Sequence, residues 1–102
     1  MTDPLVERVV KTIAEAIRPE KIILFGSRAQ GTAQPDSDID LLVIYRGEQN
    51  ERDLKIRIHR LFQHPEFSMD LFVLTPEELE SQRRIANTLA REVSEHGVVC
   101  YG

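Results

Sequence analysis

The sequence predicts a mixed α/β domain, a small sheet flanked by helices. Apolar residues recur at helical spacing near both ends of the chain and in its middle. Short continuous apolar runs lie between those segments and read as buried strands. Gly, Pro and small polar residues separate the two kinds of segment, in the order helix, strand, loop, strand, helix, strand, helix, strand. At 102 residues the chain is the size of one ordinary domain, 1–102, with no room for separate catalytic and substrate-binding domains.

The first helix opens on Asp3 as N-cap with Pro4 at the first helical position, and its apolar positions are Leu5, Val6, Val9, Val10, Ile13 and Ile17. Pro19 stops it, because the residue before a proline is pushed out of the helical region. Ile22-Ile23-Leu24-Phe25 is the first strand, stopping at Gly26-Ser27. Arg28 to Ser37, with Gly31 and Pro35, reads as a loop that can open with one helical turn. A second strand covers about Ile39 to Tyr45 and closes at Arg46-Gly47. Asn50 can cap a helix whose apolar face is Leu54, Ile58, Leu61 and Phe62, ending before Pro65. Met69 to Leu74 is the third strand. Thr75-Pro76-Glu77-Glu78 is a capping box, and Leu79, Ile85, Leu89 and Val93 carry helical spacing onward with a break near Ser81 to Arg84. Gly97 is a C-terminal stop, and Val98 to Tyr101 reads as an edge strand.

Composition narrows the function. The chain is 41% hydrophobic and 29% charged, enough to build one core and too apolar for disorder. Thirteen Lys and Arg against 17 Asp and Glu leave a net charge of −4, which disfavours direct nucleic-acid binding through a broad basic surface. No apolar run approaches the roughly 20 residues of a membrane span, and the N-terminus lacks a signal layout. Cys100, the single cysteine, has no internal disulfide partner. The expectation is a soluble, cytoplasmic domain.

Two places carry chemistry. In Phe25-Gly26-Ser27-Arg28 a buried strand runs into a glycine, a hydroxyl and a cation; the glycine admits a close ligand, and a helical turn starting at Ser27 would offer N–H groups to a phosphate. In Asp38-Ile39-Asp40 the strand period of two turns both carboxylates to one side and Ile39 to the other. Strands disfavour such a pair, and Mg²⁺, which takes carboxylate and phosphate oxygens, would relieve it. Asp70 is a third carboxylate entering an apolar strand. If its strand lies beside that of Asp38 and Asp40, the three converge as a two-metal phosphoryl- or nucleotidyl-transfer site.

Gly26-Ser27, ten intervening residues and Asp38-x-Asp40 followed by Leu41-Leu42-Val43 resemble the signature of the polymerase-β-like nucleotidyltransferase superfamily. The wider stretch, Phe25 to Gly31 and Ser37 to Leu41, is similar to its minimal nucleotidyltransferase branch, which includes the MntA-type antitoxins. The resemblance implies that Asp38 and Asp40 bind two Mg²⁺ ions. Asp70 would help hold the catalytic metal and accept the proton of the attacking hydroxyl, and Gly26 and Ser27 would hold the triphosphate of ATP. It implies a HEPN-domain partner encoded alongside, a ribonuclease toxin in the toxin–antitoxin versions, silenced by AMP transfer onto a tyrosine.

Arg28 stays open between contact with the triphosphate and pairing with Asp36 or another loop carboxylate. Arg46, Arg52, Lys55, Arg57 and Arg60 form a locally basic stretch that reads first as a solvated face. His59, His64 and His96 lack metal-site spacing, and Cys100 has no base in sequence reach. Phe62, Phe67, Phe72 and Tyr45 read as core or sheet residues, and Tyr101 as a candidate interface residue. Competing functions are a non-catalytic module that neutralises its partner by occlusion, and transfer to a small molecule, for which the chain lacks an acceptor domain.

Overall fold

The structure is a computed structural model that describes residues 3–32, 34, 37–62 and 67–102. The sequence readings at Pro35, Asp36, His64 and Pro65 lie outside the described residues. Helix α1 (Pro4–Ile17) begins where the Asp3 carboxylate accepts the N–H groups of Leu5 and Val6. It ends through Arg18 in the left-handed region (φ 52°), whose N–H still donates to the Ala14 carbonyl. Then follow β1 (Lys21–Phe25), α2 (Ser27–Gln30), β2 (Ile39–Ile44), α3 (Glu51–Arg60), β3 (Met69–Leu74), α4 (Pro76–Gln82), α5 (Leu89–His96) and β4 (Val98–Tyr101). No helix among the described residues is long and apolar enough to cross a membrane.

The strands form one sheet in the order β3-β2-β1-β4. β1 runs antiparallel to both β2 and β4, whereas β2 and β3 are parallel, and α3 lies in the crossover connection that a parallel pair needs. Alternation along the strands gives the sheet two apolar faces. Ile22, Leu24, Ile39, Leu41, Val43 and Leu71 pack on one side against α1 and against Leu54 and Ile58 of α3. Ile23, Phe25, Leu42 and Ile44 pack on the other against Val93, with Leu74, Leu79 and Leu89 alongside. The β2 core residues Ile39 and Leu41 to Val43 are completely buried, as expected for a central strand covered on both faces.

Three expectations shift. The break after α4 runs over 83–88, slightly later than expected, because the Thr88 hydroxyl both accepts from Arg91 N–H as the cap of α5 and donates to the Gln82 carbonyl at the end of α4. Ile85 falls in that turn and is 56% exposed instead of packing on a helix. Phe72, expected in the core or the sheet, lies in the sheet, on its edge strand β3, and is 38% exposed. Gly97 does stop α5, but for reasons of space, since its φ is −78° and a Cβ would come within 2.5 Å of the Val93 carbonyl and 2.7 Å of Ile23 Cγ2.

Leu41 fills the layer between the sheet and α1, so Leu41→Ala should lower stability by about 2–5 kcal/mol, read as a shifted midpoint in urea unfolding.

Candidate active site

At the end of β1 the chain leaves Phe25 and turns through Gly26 (φ 76°, ψ −158°) into α2. Phe25 pairs with Asp40 of β2, and Asp40 pairs with Asp70 of β3, so the three residues share one row across the sheet. The strand period puts Asp40 on the side of Leu42 and Ile44, and Asp70 on the side of Leu74, which is the α5 side for both. Adjacency of β2 and β3 is thus met, and the carboxylates of Asp40 and Asp70 stand close enough to act on each other. Asp70 is exposed and Asp40 partly buried, so the pair opens to solvent.

Gly26 stands directly against Asp40. A Cβ at position 26 would fall on Asp40 Oδ2 and within 3.1 Å of its Cγ, and the positive φ itself suits only glycine well. Ser27, half-buried, is the first residue of α2, whose first-turn N–H groups of Ala29 and Gln30 both point to the Gly26 carbonyl. Asp38, exposed, precedes β2 and lies close enough to act electrostatically on Asp40.

Electrostatics mark Asp40. Its carboxyl is pushed up from 3.8 to about 6, first by burial, then by the charge and hydrogen bond of Asp70, then by the charges of Asp38 and Glu92. Glu92 of α5 carries no functional signal in the sequence. It looks there like an ordinary first-turn acid, and only the docking of α5 over the sheet brings it near Asp40.

Arg28, one residue past Ser27, turns inward. It is 8% exposed, ion-pairs with Asp3 at 2.9 Å, and donates from Nε and Nη2 to the Ser37 carbonyl at 3.0 and 2.8 Å. The basic stretch is dispersed: Arg46 pairs with Glu77, Arg57 donates to Gln49 and to the Ala16 carbonyl, and Lys55 pairs with Glu51. Lys55 Nζ also stands 5.6 Å from the centre of the Phe72 ring, which itself lies 5.7 Å from that of Phe25. His59 and His96 are exposed on their helices. Cys100 is exposed as a residue, but partial desolvation of its thiol by neighbouring atoms raises it above its ordinary range.

Among the described residues no three ligating side chains are already gathered closely enough to hold a metal ion. The donor chemistry nevertheless fits a hard divalent cation. Two carboxylates forced together with a third nearby favour a proton or a cation between them, and Mg²⁺ is commonly held by one or two carboxylates with substrate phosphates completing its shell.

Residues 6–100 match the family model described as nucleotidyltransferase domain. No curated protein matches at a significant level. A crystal structure of a Sulfolobus solfataricus protein described as a nucleotidyltransferase is similar at 26% identity, over 93% of this chain and 75% of that one, with a TM-score of 0.61. A crystal structure of a toxin–antitoxin with AMP-PNP is 24% identical over 94% of this chain and 73% of that one, with a TM-score of 0.60. A mutant of the toxin–antitoxin MntA-HpeT is 23% identical over 100% of this chain and 74% of that one, with a TM-score of 0.61. With the last two the likeness is one of fold.

Because the Asp40 carboxyl has a higher pKa folded than unfolded, its contribution to stability is full below 3.8 and is lost as pH rises through about 6. Asp40→Asn should therefore raise the melting temperature of the metal-free protein at about pH 7.5 and change it much less at about pH 4, by thermal melts at both values. Gly26→Ala should leave the protein folded at somewhat reduced stability, and should weaken Mn²⁺ binding by titration, because the added methyl displaces the Asp40 carboxylate.

Proposed function

This chain belongs to the nucleotidyltransferase domain family, and we propose that it transfers AMP from ATP, with Mg²⁺, to a hydroxyl of a partner protein. The acceptor proposed is a tyrosine of a HEPN-domain ribonuclease toxin, which the transfer silences, so that the chain acts as an antitoxin. The observation that carries the reading is the row of Asp40 and Asp70 with the bare backbone of Gly26 against it. It is supported by likeness of fold to toxin–antitoxin structures, one of which holds AMP-PNP.

In this mechanism Asp38 and Asp40 would hold two Mg²⁺ ions and Asp70 would help hold the catalytic one; when bound, the ions would supply charge neutralisation for the triphosphate and for the pyrophosphate that leaves. Gly26 and Ser27 bind the β- and γ-phosphates: the turn lets phosphate oxygens come close to the backbone, where a side chain would block them. The acceptor oxygen attacks the α-phosphorus, the bond from α-phosphorus to the bridging oxygen breaks, and pyrophosphate departs. Asp70, the more exposed of the pair, takes the hydroxyl proton. Phe25 walls the row on its β1 side.

A second hypothesis, neutralisation by occlusion alone, is favoured by β4, an uncharged edge strand whose four residues are all exposed.

The deciding experiment incubates the chain with α-labelled ATP, Mg²⁺ and the protein encoded next to it, then measures the intact mass of both. AMP units should appear on the neighbour and be absent when Asp38 and Asp40 are both replaced by Ala. A tight complex without mass change would favour occlusion, and transfer that survives the double replacement would remove the carboxylates from the mechanism.

A further inference from the structure

We propose that Arg28 is a positioning residue that, with Asp3, sets where the Asp38 carboxylate stands, and that it does not bind the nucleotide. The proposal rests on the assignment above of Asp38 as a metal ligand.

Arg28 is the one charged side chain that is buried among the described residues. Its guanidinium is engaged on two sides. Nη1 donates to Asp3 Oδ2 at 2.9 Å, while Nε and Nη2 together grip the Ser37 carbonyl at 3.0 and 2.8 Å. Asp3 is thereby used twice, because its other oxygen accepts the N–H groups of Leu5 and Val6 as the cap of α1. Ser37 is held as well by its own turn, in which its N–H donates to the Gln34 carbonyl and its hydroxyl oxygen accepts from the Gln34 N–H.

The peptide that Arg28 grips is the one immediately before Asp38. On the other side of Asp38, the Ile39 N–H donates to the Ser68 carbonyl at 2.9 Å, just ahead of β3. Asp38 is therefore bracketed: Arg28 fixes the carbonyl before it, and the segment leading to Asp70 fixes the amide after it. Arg28 also sits in α2, one residue past Ser27, so one side chain ties the Gly26–Ser27 turn to the Asp38 end of β2. A planar fork suits this task, and a lysine ammonium cannot reproduce it. Moving the guanidinium out toward a phosphate would pull it from Asp3 and from the Ser37 carbonyl, so its present place favours a positioning role.

The test uses Mn²⁺ alone, without nucleotide, as probe for Asp3→Asn, Arg28→Lys, Arg28→Met and Asp38→Ala. Asp3→Asn is the cleanest of these, because Asn caps a helix as well as Asp and only the ionic link is lost. Expected is a loss of Mn²⁺ affinity of roughly tenfold in Asp3→Asn and in both Arg28 variants, the range in which partners behind a metal ligand act. The double variant Asp3→Asn/Arg28→Lys should be no weaker than either single one, since both cut the same chain of contacts. If Asp38→Ala loses Mn²⁺ while the Asp3 and Arg28 variants bind it as the wild type does, the inference fails and the site assignment stands. An Arg28→Met variant that then weakens MgATP, while Arg28→Lys keeps it, would mark a direct phosphate contact in its place. If Asp38→Ala binds Mn²⁺ like the wild type, the site assignment fails and takes the inference with it. Should Arg28→Met not fold, Asp3→Asn carries the same comparison.

Discussion

Two carboxylates side by side on one row of a sheet oppose folding, and this protein is built around such a pair. Asp40 and Asp70 face each other because β2 and β3 are parallel neighbours in a register that also pairs Leu41 with Leu71 and Val43 with Val73. Those apolar partners, packed on α1 and α3 on the opposite face, supply the favourable free energy that holds the charged row in place. A slip of one residue would turn Ile39, Leu41 and Val43 out of the core, so the register that protects the core also fixes the pair. The site is thus a by-product of core packing that no local contact could produce by itself.

The surroundings leave the pair accessible. The helices α4 and α5 pack on Leu42, Ile44 and Leu74, next to the carboxylate row, so Asp70 stays exposed and Asp40 is only partly covered. This partial cover is enough to raise the proton affinity of Asp40 and too little to seal it from a substrate. Gly26 contributes by having no side chain, which leaves room for the Asp40 carboxylate and for a close ligand at the same spot. The exposed Phe72, with Phe25 on one side and Lys55 over its ring, stands further along β3 on the same face.

Much of this is legible in the sequence. Asp3-Pro4, Thr75-Pro76 with Glu78, and Asn50 signal helix starts through local hydrogen bonds, and each of these caps forms. Short apolar runs signal strands, and the alternation about Asp40 shows which side it takes. Less legible are features whose partners are far away in the chain. Arg28 reads in the sequence as a neighbour of a phosphate or of a loop carboxylate, and nothing there signals its pairing with Asp3, 25 residues earlier. Glu92 looks like any first-turn acid until α5 is docked, and whether Phe72 is core or an exposed sheet residue is open until β3 is known to be an edge.

By itself, then, the sequence determined the kinds of elements, their caps and order, and where its candidate phosphate- and metal-binding groups lie along the chain, since all of these depend on short-range periodicity and on functional groups. It also carried the spacing from Gly26-Ser27 to Asp38 and Asp40, on which the resemblance to nucleotidyltransferases rests, and the family model matches residues 6–100. Strand order, parallel register and docking of α5 were decided only by the tertiary structure, because each depends on which apolar faces find one another across long stretches of chain. Those choices set Asp40 beside Asp70 with Asp38 near enough to act on it, push the pKa of Asp40 up to about 6, and draw Arg28 away from solvent to the carbonyl beside Asp38.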